Sequence, residues 1–307
     1  MEASILVIQL LNGLQLGILL FLLSAGLTLT FGIMDFVNLA HGALYMLGAF
    51  ICATLTLYIG SFLLAVALAV PLTALAGYIL ERLVVQHLYH RDHLDHVLAT
   101  FGLILCIDTI VHLIWGPEGI GIPLPGFLNT QVEILPGIVF PTFRLLIIGM
   151  GLAAAAGLYV LVNHTRVGML IRAGASNRTM VSALGVDIST LFCGVFALGA
   201  ALAGLAGMLI APITEASIGM GSDIIITTFV VIIIGGIGSM KGAFLAALII
   251  GLIDTFGRSF LDDIFKLAMS SEAAETAAPA VSAMLIYILM AVILAFRPQG
   301  LFPPLRR

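Results

Sequence analysis

Acidic side chains lie within two of the long apolar segments of this sequence, at Asp108 and Asp254. An ionisable group is costly there and tends to mark a pathway through a membrane protein. Such carboxylates can relay protons or bind sodium, as an ion-coupled secondary transporter requires. They can also form hydrogen bonds between helices or line a wide aqueous vestibule, and we favour this second interpretation for both acids.

Neutral polar residues occur at two further places. Asn12 and Gln15 are three residues apart in the first apolar segment, and Asn38 and His41 lie in the junction before the second. Polar groups inside a membrane protein usually face its interior or a cavity. The predicted pathway or gate residues are therefore Asn12, Gln15, Asn38, His41, Gly235, Gly236 and Asp254.

A histidine-rich stretch has the spacing of a possible metal site. Its candidate ligands are His87, His90, His93, His96, Asp92 and Asp95. Spacings of three place side chains on one helical face, but the stretch connects two apolar segments and should be solvated. We interpret it as a polar loop without a metal. The three cysteines are isolated in apolar segments, which is typical of packing residues.

A glycine-rich stretch at residues 235–242, G-G-I-G-S-M-K-G, has some features of a phosphate loop. That loop needs a lysine preceded by glycine and followed by serine or threonine, whereas Lys241 lies between Met240 and Gly242. The stretch instead predicts a tight re-entrant turn at Gly235 and Gly236 between two half-buried helices. Without H-E-x-x-H or G-x-S-x-G, the sequence predicts no catalytic residue, no metal and no cofactor bound by this chain.

The elements that carry these residues are predicted to be membrane spans. Of 307 residues, 61% are hydrophobic and 9% charged, against about 25% charged in soluble domains. We predict an all-α fold, a polytopic transmembrane helical bundle of about eight to ten spans. The first span should tilt or break at its glycines, and the seventh should be discontinuous. The nine candidates are 5–31, 39–59, 62–80, 97–115, 145–162, 190–211, 224–237, 243–260 and 280–296.

Lysines and arginines predict the orientation, because short cytoplasmic loops are enriched in them. An external N-terminus and nine alternating spans place nine of these residues inside and three outside. The inner residues are Arg82, Arg91, Arg166, Arg172, Arg178, Lys241, Arg297, Arg306 and Arg307. The outer residues are Arg144, Arg258 and Lys266. The C-terminus is therefore predicted to be cytoplasmic.

The segments between spans carry no separate domain, so residues 1–307 are predicted to form one membrane domain. Residues 116–143, rich in glycine and proline, should form an irregular outer cap without a helix. Residues 262–279 should include a short surface helix. Residues 163–187, which we name the basic segment, are the longest polar interruption and contain three arginines. An ordered basic segment on the inner face favours contact with a cytoplasmic partner.

Seven motifs in shared order resemble a known family. They are N-G-L-Q-L-G, G-I-M-D-F-V-N-L-A-H-G-A-L-Y-M-L-G-A, E-R-L, T-R-V-G-M-L-I-R-A, N-R-T-M-V-S-A-L-G-V-D, G-G-I-G-S-M-K-G-A and R-P-Q-G-L-F. With them the chain resembles, from residue 10 to 302, the LivH-type permease subunits of bacterial branched-chain amino-acid ABC importers. The segment V-V-Q-H-L-Y-H after E-R-L departs from the family's basic, proline-containing pattern.

This resemblance implies a multi-pass protein of the bacterial inner membrane that imports leucine, isoleucine and valine. Its implied partners are a LivM-like permease subunit or a second copy of the chain, two ATPase subunits that hydrolyse ATP with magnesium, and a periplasmic binding protein. Urea, short amides or other amino acids are alternative cargoes. The implied coupling residues, which contact an ATPase subunit, are Arg172, Ala175, Asn177, Arg178, Thr179, Met180, Leu184 and Gly185.

Overall fold

A computed structural model describes residues 2–302 of the chain. Arg306 and Arg307, predicted above to be cytoplasmic, lie outside the described residues. The helices are α1 (Glu2–Met34), α2 (His41–Ile59), α3 (Phe62–Leu83), α4 (His93–Trp115), α5 (Thr142–His164), α6 (Arg166–Ser176), α7 (Arg178–Ala183), α8 (Ile188–Thr214), α9 (Met220–Gly235), α10 (Met240–Lys266) and α11 (Ser271–Phe296). The strands are β1 (Gln131–Leu135) and β2 (Ile138–Pro141), and a 3₁₀ turn covers Val85–Leu88.

The predicted spans are confirmed in number and type. Within residues 2–302, eight helices are long and apolar enough to cross a membrane. The seventh predicted span is α9, which has 16 residues. At 1.5 Å per residue this is about 24 Å, short of the roughly 30 Å hydrocarbon core. The predicted break in the first span is wrong, because α1 is one continuous helix of 33 residues.

Helices α1, α2 and α8 form the centre of the bundle. They are the three most buried of the spanning helices within the described chain. α8 packs on α1, α2 and α3, and α1 packs along α10. The helices α4, α5 and α11 lie at the periphery and leave most of their surface uncovered by this chain.

Glycines allow the central helices to approach backbone to backbone. An added Cβ on Gly48 of α2 would lie 2.4 Å from the Cα of Gly204 on α8, and one on Gly207 would lie 2.0 Å from the carbonyl oxygen of Tyr45. Small residues at such crossings drive helix association in lipid, where no hydrophobic force acts between helices. Gly194 differs, because nothing lies within 4 Å of the place where its Cβ would be.

Contacts between segments define two ends of the bundle, and we name the end that carries the basic segment (residues 163–187) the basic end. At the basic end, Gly32 of α1 lies against Gly238, with an added Cβ 2.9 Å from the Gly238 Cα. Arg82 donates to the Ser189 hydroxyl at the start of α8 (3.1 Å). Phe302 donates its backbone N–H to the Gly235 carbonyl there (3.1 Å). Residue 302 therefore lies at the basic end, whereas α1 starts at the opposite end.

Strands β1 and β2 form an antiparallel hairpin at that opposite end, which we name the hairpin end. The predicted irregular cap over residues 116–143 is therefore wrong in part: residues 116–130 are irregular except for a bridge between Ile120 and Ala216, but the rest is paired. Residues 262–279 also differ from their prediction. Their helix is the beginning of α11, which runs unbroken through Pro279, so no separate surface helix exists at residues 262–279.

We expect the α2–α8 crossing to be sensitive to one methyl group. Gly48→Ala places a Cβ against backbone that has no side chain to move aside, and overpacking of this kind costs about 1–3 kcal/mol. The melting temperature of the purified protein, followed by size-exclusion chromatography after heating, should fall by several degrees. Gly194→Ala is the matched control and should leave it unchanged or raised. Equal melting of the two variants would contradict the proposed crossing.

Candidate functional site

The basic segment is ordered by capping interactions within its own chain. The Thr165 side chain accepts a hydrogen bond from the Gly168 N–H (3.1 Å) and begins α6. Asn177, in extended backbone, separates the two helices and accepts from the Met180 N–H (2.9 Å) to begin α7. Gly185 follows α7 with φ +87°, a conformation that side chains with a Cβ rarely adopt. The segment thus has a defined shape without a partner.

The exit from the basic segment into α8 is capped in the same way. The Asp187 carboxylate accepts a hydrogen bond from the Ser189 N–H (3.0 Å) and one from the Thr190 hydroxyl. The hydrogen bond from Thr190 lowers the pKa of Asp187 below its ordinary value. A negative charge at the start of a helix is favourable because it faces the positive end of the helix dipole.

Helix α7 presents apolar side chains outward. Met180 is 60% exposed and Leu184, just after the helix, is 76% exposed. Val181 is the buried anchor of this helix. Of the other predicted coupling residues, Thr179 and Gly185 are exposed and Ala175 is half-buried. Exposed large apolar side chains on an ordered polar segment are typical of a protein-binding surface.

Two of the predicted coupling residues, both arginines, contact other helices of their own chain. Arg172 is exposed and donates a hydrogen bond to the Val162 carbonyl. The guanidinium of Arg178 lies 5.3 Å from the centroid of the Phe192 ring on α8, in a cation–π contact. Arg178 therefore connects α7 to the start of a central helix.

A buried acid lies next to this contact, and it is not among the residues predicted from the sequence to be functional. Glu81 of α3 is fully buried, and its carboxylate accepts hydrogen bonds from the Tyr89 hydroxyl and the Cys193 thiol. Burial, and then the hydrogen bond to Glu81, raise the pKa of Tyr89, which keeps its proton for donation. The Tyr89 ring lies edge-on to Phe192, with centroids 5.2 Å apart. The sequence signal that could have identified Glu81 was a charged residue at the end of an apolar segment.

The same group of side chains reaches the junction between α1 and α2. Phe36 lies 6.4 Å from the Tyr89 ring and 4.5 Å from the His96 ring, centroid to centroid. His96 forms a hydrogen bond with the Leu88 carbonyl (2.9 Å). We name Glu81, Tyr89, Phe36, Phe192 and Cys193 the inner cluster. It connects the basic segment with residues 35–40.

The junction contains two of the predicted gate residues and is buried. Asp35 has a positive φ of 52°, uncommon for a residue with a Cβ. Asn38 is fully buried, and neither its side-chain oxygen nor its nitrogen has a hydrogen-bond partner among residues 2–302. His41 is also buried and forms a hydrogen bond with the Leu23 carbonyl of α1 (3.0 Å). Strained backbone and an unsatisfied amide are typical of segments that change conformation.

The structure does not bring all predicted gate residues together. Asn12 lies towards the hairpin end, where it donates to Gln9 (3.1 Å) and accepts from Arg144. Gln15 is buried nearby. Along α1, Asn12 and Leu23 are separated by about 16 Å, so the pair at 12 and 15 is remote from His41.

The remaining predicted gate residues have structural contacts. A Cβ on Gly235 would lie 2.5 Å from the Gly242 carbonyl carbon, and Gly236 has φ +99°. The turn between them closes with a hydrogen bond from the Ser239 N–H to the Gly236 carbonyl (3.0 Å). The predicted turn is therefore confirmed as tight, and its re-entrant character stays a prediction. Asp254 is paired with Arg258 one turn later (2.9 Å).

The histidine-rich stretch is divided between the 3₁₀ turn and the start of α4. Residues 2–302 contain no group of three or more histidine, cysteine, aspartate or glutamate side chains placed to hold a metal ion.

Comparison with known proteins identifies relatives along almost the whole chain. The family described as "Branched-chain amino acid transport system / permease component" matches residues 9–294. The permease protein BraD of a high-affinity branched-chain amino acid transport system in Pseudomonas aeruginosa is 29% identical, over 95% of this chain and 94% of BraD. LivH of Escherichia coli K12 is 27% identical over 85% of this chain and 89% of LivH.

A second kind of relative matches a shorter part. A probable LivM permease protein of Methanocaldococcus jannaschii is 31% identical over 46% of this chain and 40% of that protein. No solved structure matches the chain. The family match covers nearly all spanning helices and the whole basic segment. The chain therefore belongs to the branched-chain amino acid transport system permease family.

Proposed function

We propose that this chain is a permease subunit of an ABC importer for branched-chain amino acids, driven by separate ATPase subunits. The observation that carries the proposal is the outward apolar surface of α7 on a pre-ordered basic segment. The names of the relatives BraD and LivH support the cargo. The partial match to a LivM protein supports a related permease as the second subunit, and a second copy of this chain is the alternative.

The proposed orientation places the basic end in the cytoplasm. Seven of the described arginines and lysines lie in segments at that end, against three towards the hairpin end. This asymmetry favours a cytoplasmic basic end in the inner membrane. ATPase subunits are cytoplasmic and would meet α7 there, whereas a periplasmic binding protein would dock at the hairpin end.

The proposed mechanism is alternating access driven from the basic segment. ATP binding closes the two ATPase subunits and displaces α7. Arg178 transmits this displacement to Phe192, and the inner cluster carries it to residues 35–40. The pathway between the two permease subunits then opens to one side or the other. ATP and magnesium act in the partner subunits, so the residues of this chain transmit the displacement of α7 and position the pathway.

The apolar surface of α7 predicts a loss of assembly when charged side chains replace its apolar ones. In the double variant Met180→Asp, Leu184→Asp, two carboxylates must be desolvated against an apolar cleft. We expect at least tenfold less ATPase subunit to co-purify with the permease, which corresponds to about 1.4 kcal/mol or more. Val167→Asp is the matched control, since Val167 is 54% exposed but lies on α6. Undiminished co-purification of the double variant would refute docking at α7.

The inner cluster predicts loss of coupling without loss of assembly. In Tyr89→Phe the hydroxyl that bonds the buried Glu81 is absent, which leaves a carboxylate oxygen without that donor. The ATPase subunits should still co-purify and hydrolyse ATP, but amino acid uptake per ATP in proteoliposomes should fall several-fold. Tyr159→Phe, at an exposed position on α5, is the control. If uptake per ATP is the same in both variants, the inner cluster does not transmit the displacement of α7.

The cargo is tested separately from the machinery. Thermal-shift measurements on the binding protein that works with this permease should show stabilisation by leucine, isoleucine or valine, because ligands that bind the native state raise its melting temperature. Stabilisation by urea or a short amide alone would replace the proposed cargo and leave the permease role intact.

A further inference from the structure

Asp108 is an acid inside a membrane span that has no hydrogen-bond or ion-pair partner among residues 2–302. It is half-buried on α4, about 10 Å of helix before Trp115 at the hairpin end. No hydrogen bond or ion pair joins Asp108 to another of the described residues. Asp254 differs, because Arg258 neutralises it. An aspartate at the centre of a span costs roughly 3 kcal/mol, and such residues face a protein interior or water.

The surroundings of Asp108 form a continuous stripe. Phe101, Leu105, Asp108 and His112 recur at intervals of three and four residues and therefore share one face of α4. Phe101 and Leu105 are 53% and 54% exposed, and His112 is exposed one turn from the acid. We name these four residues the α4 stripe. It combines a carboxylate, an imidazole and two apolar side chains on a surface that this chain leaves open.

Helix α4 is held in place at both ends, so the stripe has a fixed position. The Trp115 ring N–H donates to the Thr54 hydroxyl (2.7 Å), and the Thr100 hydroxyl accepts from the Leu39 N–H (3.2 Å). The first bond joins α4 to α2, and the second joins α4 to the junction before α2. Helix α2 is also the helix on which α4 mainly packs. The stripe borders the buried side of α4. Cys106, about 160° around the helix from Asp108, faces away from it.

We propose that the α4 stripe lines the water-filled substrate pathway between this chain and its partner permease, and that Asp108 binds the α-ammonium group of the transported amino acid. This inference rests on the proposed function and adds the place where the chain meets its substrate. A carboxylate forms a charge-assisted hydrogen bond with an ammonium group. The ring N–H of His112 is one turn away for the α-carboxylate, and Leu105 and Phe101 contact the aliphatic side chain.

The first test asks whether the stripe faces water. The complete importer with Leu105→Cys, in a chain that also carries Cys106→Ala, is treated in proteoliposomes with a charged methanethiosulfonate reagent. Leu105→Cys should react at least tenfold faster than the native Cys106 does in the unmodified chain, and leucine delivered by the binding protein should slow this reaction. Cys52 and Cys193 are buried and give little background. A cysteine at 105 as unreactive as Cys106 overturns the proposal.

The second test asks whether the charge of Asp108 is used. Asp108→Asn should lower ATP-driven leucine uptake at least tenfold with assembly unchanged, and Asp108→Glu should restore part of it. Thr109→Val is the control, because the Thr109 hydroxyl bonds the Leu105 carbonyl of its own helix (2.7 Å). Uptake by Asp108→Asn within twofold of that control contradicts the binding role. If Asp108→Asn does not assemble, the labelling and its protection by leucine decide the question.

Failure of the proposed function is recognised in the unmodified importer. A wild-type complex that does not take up leucine with ATP contradicts the proposed cargo or drive. The reactivity of Leu105→Cys towards a charged reagent still reports whether the α4 stripe faces water, because it requires no transport.

Discussion

Close backbone approach at small residues is the constraint on which this bundle depends. Lipid chains are as apolar as the side chains themselves, so no hydrophobic force drives helices together in a membrane. Helices therefore associate through packing and hydrogen bonds. Gly48 and Gly204 bring α2 onto α8, and Gly42 lies against Gly221 at the start of α9. Because these contacts join backbone to backbone, no side chain at the crossing can move aside to absorb a shift of one helix against the other.

Under the proposed function, a tightly packed centre leaves the conformational change to the segments that connect the helices. The α1–α2 junction is such a segment, with the positive φ of Asp35 and the unsatisfied amide of Asn38. The inner cluster connects this junction to α7. Buried polar groups are tolerated there because Tyr89 and Cys193 donate to Glu81, while removal of one donor leaves the charge less compensated. Under the proposed function, the apolar surface of α7 is the input and the α4 stripe lies on the pathway.

Membrane burial explains why much of the fold could be predicted. A span must satisfy every backbone polar group internally and must be about 20 residues long. The eight long helices were therefore predictable from apolar length alone, and the ordered motifs predicted the family. The predicted tight turn at Gly236 was equally local, because it depends on a glycine conformation. The α1 break was predicted wrongly, since Gly13 and Gly17 allow close contact with α10 and the helix continues through both of them.

Other features depend on residues that are distant in sequence. Strand β1 alternates polar and apolar residues from Gln131 to Ile134, but all five of its residues are exposed, so this alternation does not mark a buried face. Glu81 is compensated by residues 8 and 112 positions later, and only the fold brings these together. In the sequence, Asn12 and His41 are both polar residues in apolar surroundings. In the structure they lie at different depths along the bundle. The sequence by itself determined which segments enter the membrane, because that depends on local hydrophobicity. Tertiary structure alone decided which polar groups of distant segments meet, because partners such as Glu81 and Cys193 lie on different helices.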